Sequence, residues 1–167
     1  LRMIFDRSED LAWTSKRHPS RTKVRTAHDE KGRILGLDFE VLLDGGAYES
    51  YSLIVLQRAM FTSNGVYNFP NVRVRGRAIA TNTVPSGAFR GFGAPQAIFA
   101  LEMHMDRVAR ELGLEPLTLR KPYFVTTGDP TVTGGTIREK VILDKLIDRA
   151  WELSDFEKKW KRYEEER

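Results

Sequence analysis

Over residues 35–43, apolar side chains fall on every second position: Leu35, Leu37, Phe39, Val41 and Leu43, with Gly36, Asp38 and Glu40 between them. That period places one side of an extended chain in a core and leaves the other to polar surroundings, the signature of a half-buried strand. Upstream, Arg21-Thr22-Lys23-Val24-Arg25-Thr26 alternates basic residues with Thr and Val, which predicts another strand. Asp29-Glu30-Lys31-Gly32 lies between the two, and Gly32 suits the positive φ of a short hairpin loop, so the pair is expected to be antiparallel. Val72, Val74, Gly76, Ala78 and Ala80 alternate with Arg73, Arg75 and Arg77. They predict a third strand with a small apolar face and a basic outer face. The opening Leu1-Arg2-Met3-Ile4-Phe5 reads as a strand already under way, so the chain is expected to be an internal piece of a longer protein.

A different period marks the helices. Leu53, Leu56 and Met60 predict a short helix over 52–61, set between turns at Asp44-Gly45-Gly46 and Asn64-Gly65. After a turn-rich loop from Thr81 to Ala94, Pro95 opens the clearest helix. There Ile98, Leu101, Met105, Val108 and Leu112 recur at steps of 3, 4, 3 and 4 before Gly113 stops the pattern. A further helix begins near Lys140 with Ile142, Leu146, Ala150 and Leu153 on one face. Beyond Asp155, Phe156, Trp160 and Tyr163 mark a charged amphipathic tail. Strands first and helices after, without regular alternation, predict an α+β fold with a mainly antiparallel sheet and packed helices. The expected division is a domain over 1–135 and a helical segment over 136–167.

Composition narrows the chemistry. The 167 residues are 41% hydrophobic and 30% charged with a net charge of +4, an ordinary globular balance that demands no nucleic acid. Cysteine is absent, which excludes disulfides, thiol nucleophiles and any iron–sulfur cluster ligated by this chain, and fits a reducing cytoplasm. No apolar run approaches the ~20 residues of a membrane span, and no signal-peptide pattern opens the chain. The histidines, His18, His28 and His104, lack a second ligand at helical spacing, so no protein-ligated metal is expected. A nucleophile elbow and a P-loop are both missing.

The loop before the long helix carries the main candidate chemistry. Gly91-Phe92-Gly93-Ala94-Pro95 leaves backbone N–H groups facing whatever sits before the helix, a setting that stabilises an anionic or oxygen-rich ligand. Phe89 and Phe92 flank Arg90, so aromatic faces and a guanidinium border the same space. The competing explanation is a tight turn with both rings in the core. Arg58 likewise has two explanations: a cation at a helix C-terminus, or a guanidinium facing a cavity. Two basic rows, Arg21, Lys23 and Arg25 with Arg73, Arg75 and Arg77, leave open an alternative role as a non-catalytic basic binding module, against the solvated outer face of a sheet.

The stretch Thr81-Asn82-Thr83-Val84-Pro85-Ser86-Gly87-Ala88-Phe89-Arg90-Gly91-Phe92-Gly93-Ala94-Pro95-Gln96 resembles the molybdenum-cofactor-binding large subunit of the xanthine dehydrogenase and aldehyde oxidase family. The resemblance extends through Lys16-Arg17-His18-Pro19, Asp44-Gly45-Gly46-Ala47-Tyr48, Gly65-Val66-Tyr67, Pro70-Asn71-Val72, Glu102 to Leu112, Arg120 and Gly128-Asp129-Pro130-Thr131. It implies hydroxylation of a heterocycle or aldehyde with water-derived oxygen. Molybdenum would be held by a pterin dithiolene, with FAD and iron–sulfur clusters on other domains or subunits. By the same resemblance Arg90 and Gly91 border the cofactor, Phe92 packs on the substrate ring, and Arg58 binds a substrate oxygen in purine-oxidising members. The implied partners are the remainder of the large subunit, the FAD and iron–sulfur parts and a small substrate, with room for a homodimer. The family's substrate-binding glutamate is expected upstream of Leu1 and its general-base glutamate downstream of Arg167, so residues 1–167 alone are expected to be inactive. Lys121-Pro122-Tyr123 departs from the pattern, with Tyr123 where the family has Asn.

Overall fold

The computed structural model describes residues 1–166. The chain divides into two compact units, residues 1–123 and 124–167. The first is built around β2, Ile34–Gly46, whose alternation buries Leu37, Phe39, Val41 and Leu43. β1, Ser20–His28, pairs with it antiparallel from Ser20 against Leu43 to His28 against Ile34. β3, Val72–Ala80, takes the other edge of β2, but runs parallel to it, Leu37 opposite Val72 and Leu43 opposite Ala78.

The sheet is therefore mixed, a correction to the mainly antiparallel expectation. A parallel neighbour needs a crossover, and the chain between β2 and β3 supplies one by forming α2, Ser52–Phe61. Helix α2 buries Val55, Leu56 and Ala59, while Leu53 and Ile54 are more than half exposed; its inward face is set by the small Ala59 rather than by Leu53. The long helix α3, Ala94–Glu111, packs on α2 and β1 through Ala97, Leu101, Met105, Val108 and Ala109.

Two features lie outside the periodic pattern. Residues 1–5 form no strand; they are exposed and lead into α1, Arg7–Trp13. That helix buries nothing and is held at its start by a capping box, in which the Asp6 carboxylate accepts from Glu9 N–H and Glu9 accepts from Asp6 N–H. Past α3, Glu115 caps α4, Pro116–Arg120, which passes into a 3₁₀ turn at Lys121–Tyr123. Here Tyr123 fastens the start of β2, because its hydroxyl accepts the Ile34 N–H at 2.6 Å, and its ring lies 5.5 Å from that of Phe69.

Beneath α3, Tyr67, Glu102, Asp106 and Arg120 form one network. The Arg120 guanidinium donates to Tyr67 Oη at 3.0 Å, Glu102 Oε2 at 3.1 Å and Asp106 Oδ1 at 2.7 Å. Burial, then the Glu102 carboxylate, push the Tyr67 hydroxyl far above the usual phenol range. The second unit consists of a hydrogen-bonded turn around Pro130 and Thr136, followed by α5, Leu143–Ser154, and α6, Phe156–Glu165. Trp151, Phe156 and Trp160 gather at the junction of these helices, with centroids 4.4 and 5.7 Å apart.

Candidate functional site

The loop leaving β3 is fastened before it turns. Pairing between β2 and β3 shifts register between Asp44 and Gly46. There the Asp44 carboxylate accepts from the Thr81 hydroxyl and from the Gly46 N–H at 3.0 Å. Those bonds, Thr81 first, hold the Asp44 carboxyl below its ordinary range. Ala47 N–H then donates to Thr83 O, Ser86 N–H to Gly45 O and Gly87 N–H to Lys16 O, each at 3.0 Å. The backbone reaches Ala88 tied both to the end of β2 and to the segment before β1.

Beyond Ala88 the chain makes a strained turn. Phe92 N–H closes on Phe89 O at 2.8 Å and Ala94 N–H on Gly91 O at 3.0 Å. Gly91, Phe92 and Gly93 take φ of 90°, 49° and 94° in succession. For a bulky residue such as Phe92 the left-handed region costs about 1–2 kcal/mol and persists only where surroundings enforce it. Gly93 provides that enforcement. A Cβ there would stand 2.3 Å from Val55 O and 3.0 Å from Ala59 N, so the turn rests directly on the backbone of α2.

Ala59 N belongs to the Arg58–Ala59 peptide bond. The structure thus seats the Arg90–Phe92 turn on α2 through Gly93, at the residue that follows Arg58 in the chain. Arg58, Arg90 and Gly91 are exposed and Phe92 is half-buried. Phe89 is about half exposed, so neither ring is sealed in the core of this chain.

One participant escapes sequence reasoning. Arg17 Nη2 donates to Arg90 O at 2.6 Å, and its Cζ lies 4.7 Å from the Phe89 ring centroid. Its other amino group, Nη1, is buried without a partner, close to the position a Cβ on Gly91 would occupy. The adjacent His18 is buried, with Nε2 2.9 Å from Ser52 Oγ, and its carbonyl accepts from Gln96 Nε2 at 3.2 Å. Burial, opposed by Asp44, holds the His18 imidazole below its ordinary value. In the sequence Arg17 is only one of two adjacent cations in Lys16-Arg17-His18-Pro19; nothing local connects it to a carbonyl 73 positions away.

The N–H groups of Arg90 and Gly91 find no acceptor among the described residues. With Arg17 Nη1 they make a cluster of uncommitted donors at a helix start, a donor set that suits an oxygen-rich or anionic group. On the sheet, Arg25, Arg73 and Arg75 gather on the single Asp38 carboxylate, so these three of the basic rows are engaged within the chain. The remaining histidines, His28 and His104, both meet the Thr26 hydroxyl, at 2.8 and 3.1 Å. Among the described residues no three His, Cys, Asp or Glu converge, and no helix is long and apolar enough to cross a membrane.

Comparison with known proteins gives this geometry a family. Residues 1–124 match the model of the molybdopterin cofactor-binding domain. The chain is 36% identical over 162 residues to the nicotinate dehydrogenase large molybdopterin subunit of Eubacterium barkeri, an alignment covering 95% of this chain and 38% of that protein. It is 40% identical over 131 residues to the aldehyde oxidoreductase of Megalodesulfovibrio gigas, covering 78% of this chain and 14% of that protein. Among solved structures, quinoline 2-oxidoreductase from Pseudomonas putida 86 superposes with a TM-score of 0.83 at 32% identity, over 95% of this chain and 21% of the other. The chain thus spans well under half the length of these relatives. In sequence and in fold it belongs to the molybdopterin cofactor-binding domain family.

Proposed function

We propose that this chain forms one wall of the cofactor and substrate site in the large subunit of a molybdenum hydroxylase of the xanthine dehydrogenase and aldehyde oxidase kind. The observation that carries the proposal is the turn at residues 90–93. It presents two uncommitted amides and an aromatic residue held at positive φ, and strain of that kind is kept where function requires it. In this reading the main chain of Arg90 and Gly91 borders the pterin-held molybdenum, and Phe92 offers its ring to a planar substrate. Arg58, on the helix that seats the turn, pairs with a substrate oxygen as negative charge develops there. When bound, the cofactor supplies the redox centre for adding water-derived oxygen to a heterocycle or aldehyde carbon, with FAD and iron–sulfur centres carried by other domains or subunits. In this reading the remainder of the large subunit supplies the general base.

The test uses the complete parent enzyme. Arg58→Met is expected to lower kcat/KM for oxo-substituted heterocycles by about 100-fold, the ~3 kcal/mol of a lost charged hydrogen bond, while simple aldehydes lose less than threefold. Phe92→Ala is expected to weaken turnover of aromatic heterocycles and aromatic aldehydes alike. Equal losses for heterocycles and aldehydes in Arg58→Met would remove the role given to Arg58, and full activity in Phe92→Ala would remove the wall.

A further inference from the structure

Arg17 reaches the turn from a different part of the chain, and its contacts are made to the turn's backbone and to one of its rings. The guanidinium donates from Nη2 to Arg90 O at 2.6 Å and lies over the Phe89 ring at 4.7 Å. Phe89 and Arg90 are the first two residues of the turn that Phe92 N–H closes on Phe89 O. Arg17 therefore grips the turn from one side while Gly93 seats it on α2 from the other. The bond to Arg90 O holds the 90–91 peptide and so fixes φ of Gly91, while the Phe92 N–H on Phe89 O holds the 91–92 peptide, whose swing would let Phe92 relax to negative φ. A charged donor to a carbonyl is roughly twice as strong as a neutral one, and stacking on an aromatic face adds to it.

The rest of the fork sets Arg17 apart from a side chain that merely fills space. Nη1 is buried, unpartnered and next to Gly91. Leaving a buried donor unpaired costs about 1–3 kcal/mol, and native structures do so sparingly. Arg17 itself is fixed by its chain neighbours: Gly87 N–H holds Lys16 O, and Gln96 Nε2, from the first turn of α3, holds His18 O. The clamp thus ties the segment before β1, the strained turn and the start of α3 into one unit.

We propose that Arg17 is the positioning residue of the site, acting through the Arg90 carbonyl and the Phe89 ring to hold residues 90–92 in their strained conformation. This rests on the reading of the turn as part of the cofactor and substrate wall. The role needs a planar fork that can bond and stack at once, which a lysine ammonium reproduces only in its charge.

Hydrogen exchange on the complete parent enzyme tests the clamp without reference to turnover. In Arg17→Ala the Phe92 amide is expected to exchange at least tenfold faster, while the amides of Leu101 and Met105, deep in α3, keep their rates. Arg17→Lys is expected to recover part of the protection. Molybdenum retained per enzyme and kcat per bound molybdenum are measured on the same samples, and both are expected to fall in Arg17→Ala and to be partly rescued in Arg17→Lys. Phe92 exchange within twofold of the parent in a folded Arg17→Ala enzyme overturns the proposal. Should that variant not fold, Phe89→Leu decides instead: removal of the ring under the guanidinium is expected to speed Phe92 exchange at least threefold, and an unchanged rate overturns the clamp. Faster exchange with molybdenum content and kcat intact would keep the clamp and overturn the site assignment beneath it.

Discussion

Replacing Gly93 by Ala asks whether the site turn is seated on α2 as described. Two costs arise, and a second variant separates them. The first is conformational, because an L side chain at φ 94° is strained by about 1–2 kcal/mol. The second is contact: the new Cβ would stand 2.3 Å from Val55 O and 3.0 Å from Ala59 N. Both are backbone atoms of a packed helix that cannot rotate away, and overpacking of this kind costs about 1–3 kcal/mol. Together these come to about 3–4 kcal/mol, a large part of the ~5–15 kcal/mol that holds a domain folded. Gly113 is the control. It too has positive φ, 67°, but an added Cβ meets nothing within 4 Å, so Gly113→Ala carries only the conformational part, about 1 kcal/mol. In urea unfolding followed by circular dichroism, with a slope of about 2 kcal/mol/M, Gly93→Ala is expected to lower the midpoint by about 1.5–2 M and Gly113→Ala by about 0.5 M. Equal shifts in the two variants would refute the seating of the turn on the backbone of α2.

Arg120→Met removes the guanidinium shared by Tyr67, Glu102 and Asp106. Because the two carboxylates remain partly solvated, the expected loss is about 2 kcal/mol, below the ~3–5 of a fully buried pair, and adding Glu102→Gln should return part of it; a single variant as stable as the parent would show that the network contributes nothing. The pH dependence follows from His104, whose imidazole is held below its ordinary value by burial first, then by the charges of His28 and Arg107, with Glu111 opposing. The unfolded chain therefore binds a proton more readily than the folded one below about pH 6.5. Stability is fully present above that pH and is lost as pH falls through the lower folded value. His104→Gln should flatten this acid limb in denaturation curves taken between about pH 7 and pH 5, and an unchanged slope would count against it.

Whatever a local pattern carries is legible in the sequence. The alternation in β2 and the 3.6-residue period of α3 each reflect one buried face, and a buried face writes itself into neighbouring positions. The direction of β3 is hidden because alternation is the same for parallel and antiparallel strands. The readable signal lies instead in the connection: a strand, a helix and a strand over residues 34–80 form a crossover unit, whereas an antiparallel neighbour needs only a tight turn. Helix α1 is missed for the opposite reason. It buries nothing and so has no period to show, but Asp6-Arg7-Ser8-Glu9 spells its capping box.

The site divides along the same line. Gly91, Phe92 and Gly93 declare themselves because glycines around an aromatic ahead of a helix-opening proline are a local conformational statement. Arg58 stands out as a cation in an apolar helix. Arg17 declares nothing, because its bond to Arg90 closes a loop of 73 positions and depends on where β1, α2 and α3 bring their ends. Its meaning exists only in three dimensions: one arm of a guanidinium on a carbonyl, a ring beneath it, and the other arm buried without an acceptor. Since a strained turn relaxes unless both sides are held, the residues that show themselves in sequence depend on one that does not. A search of related sequences for function at 90–93 alone would therefore look past the side chain on which that conformation turns.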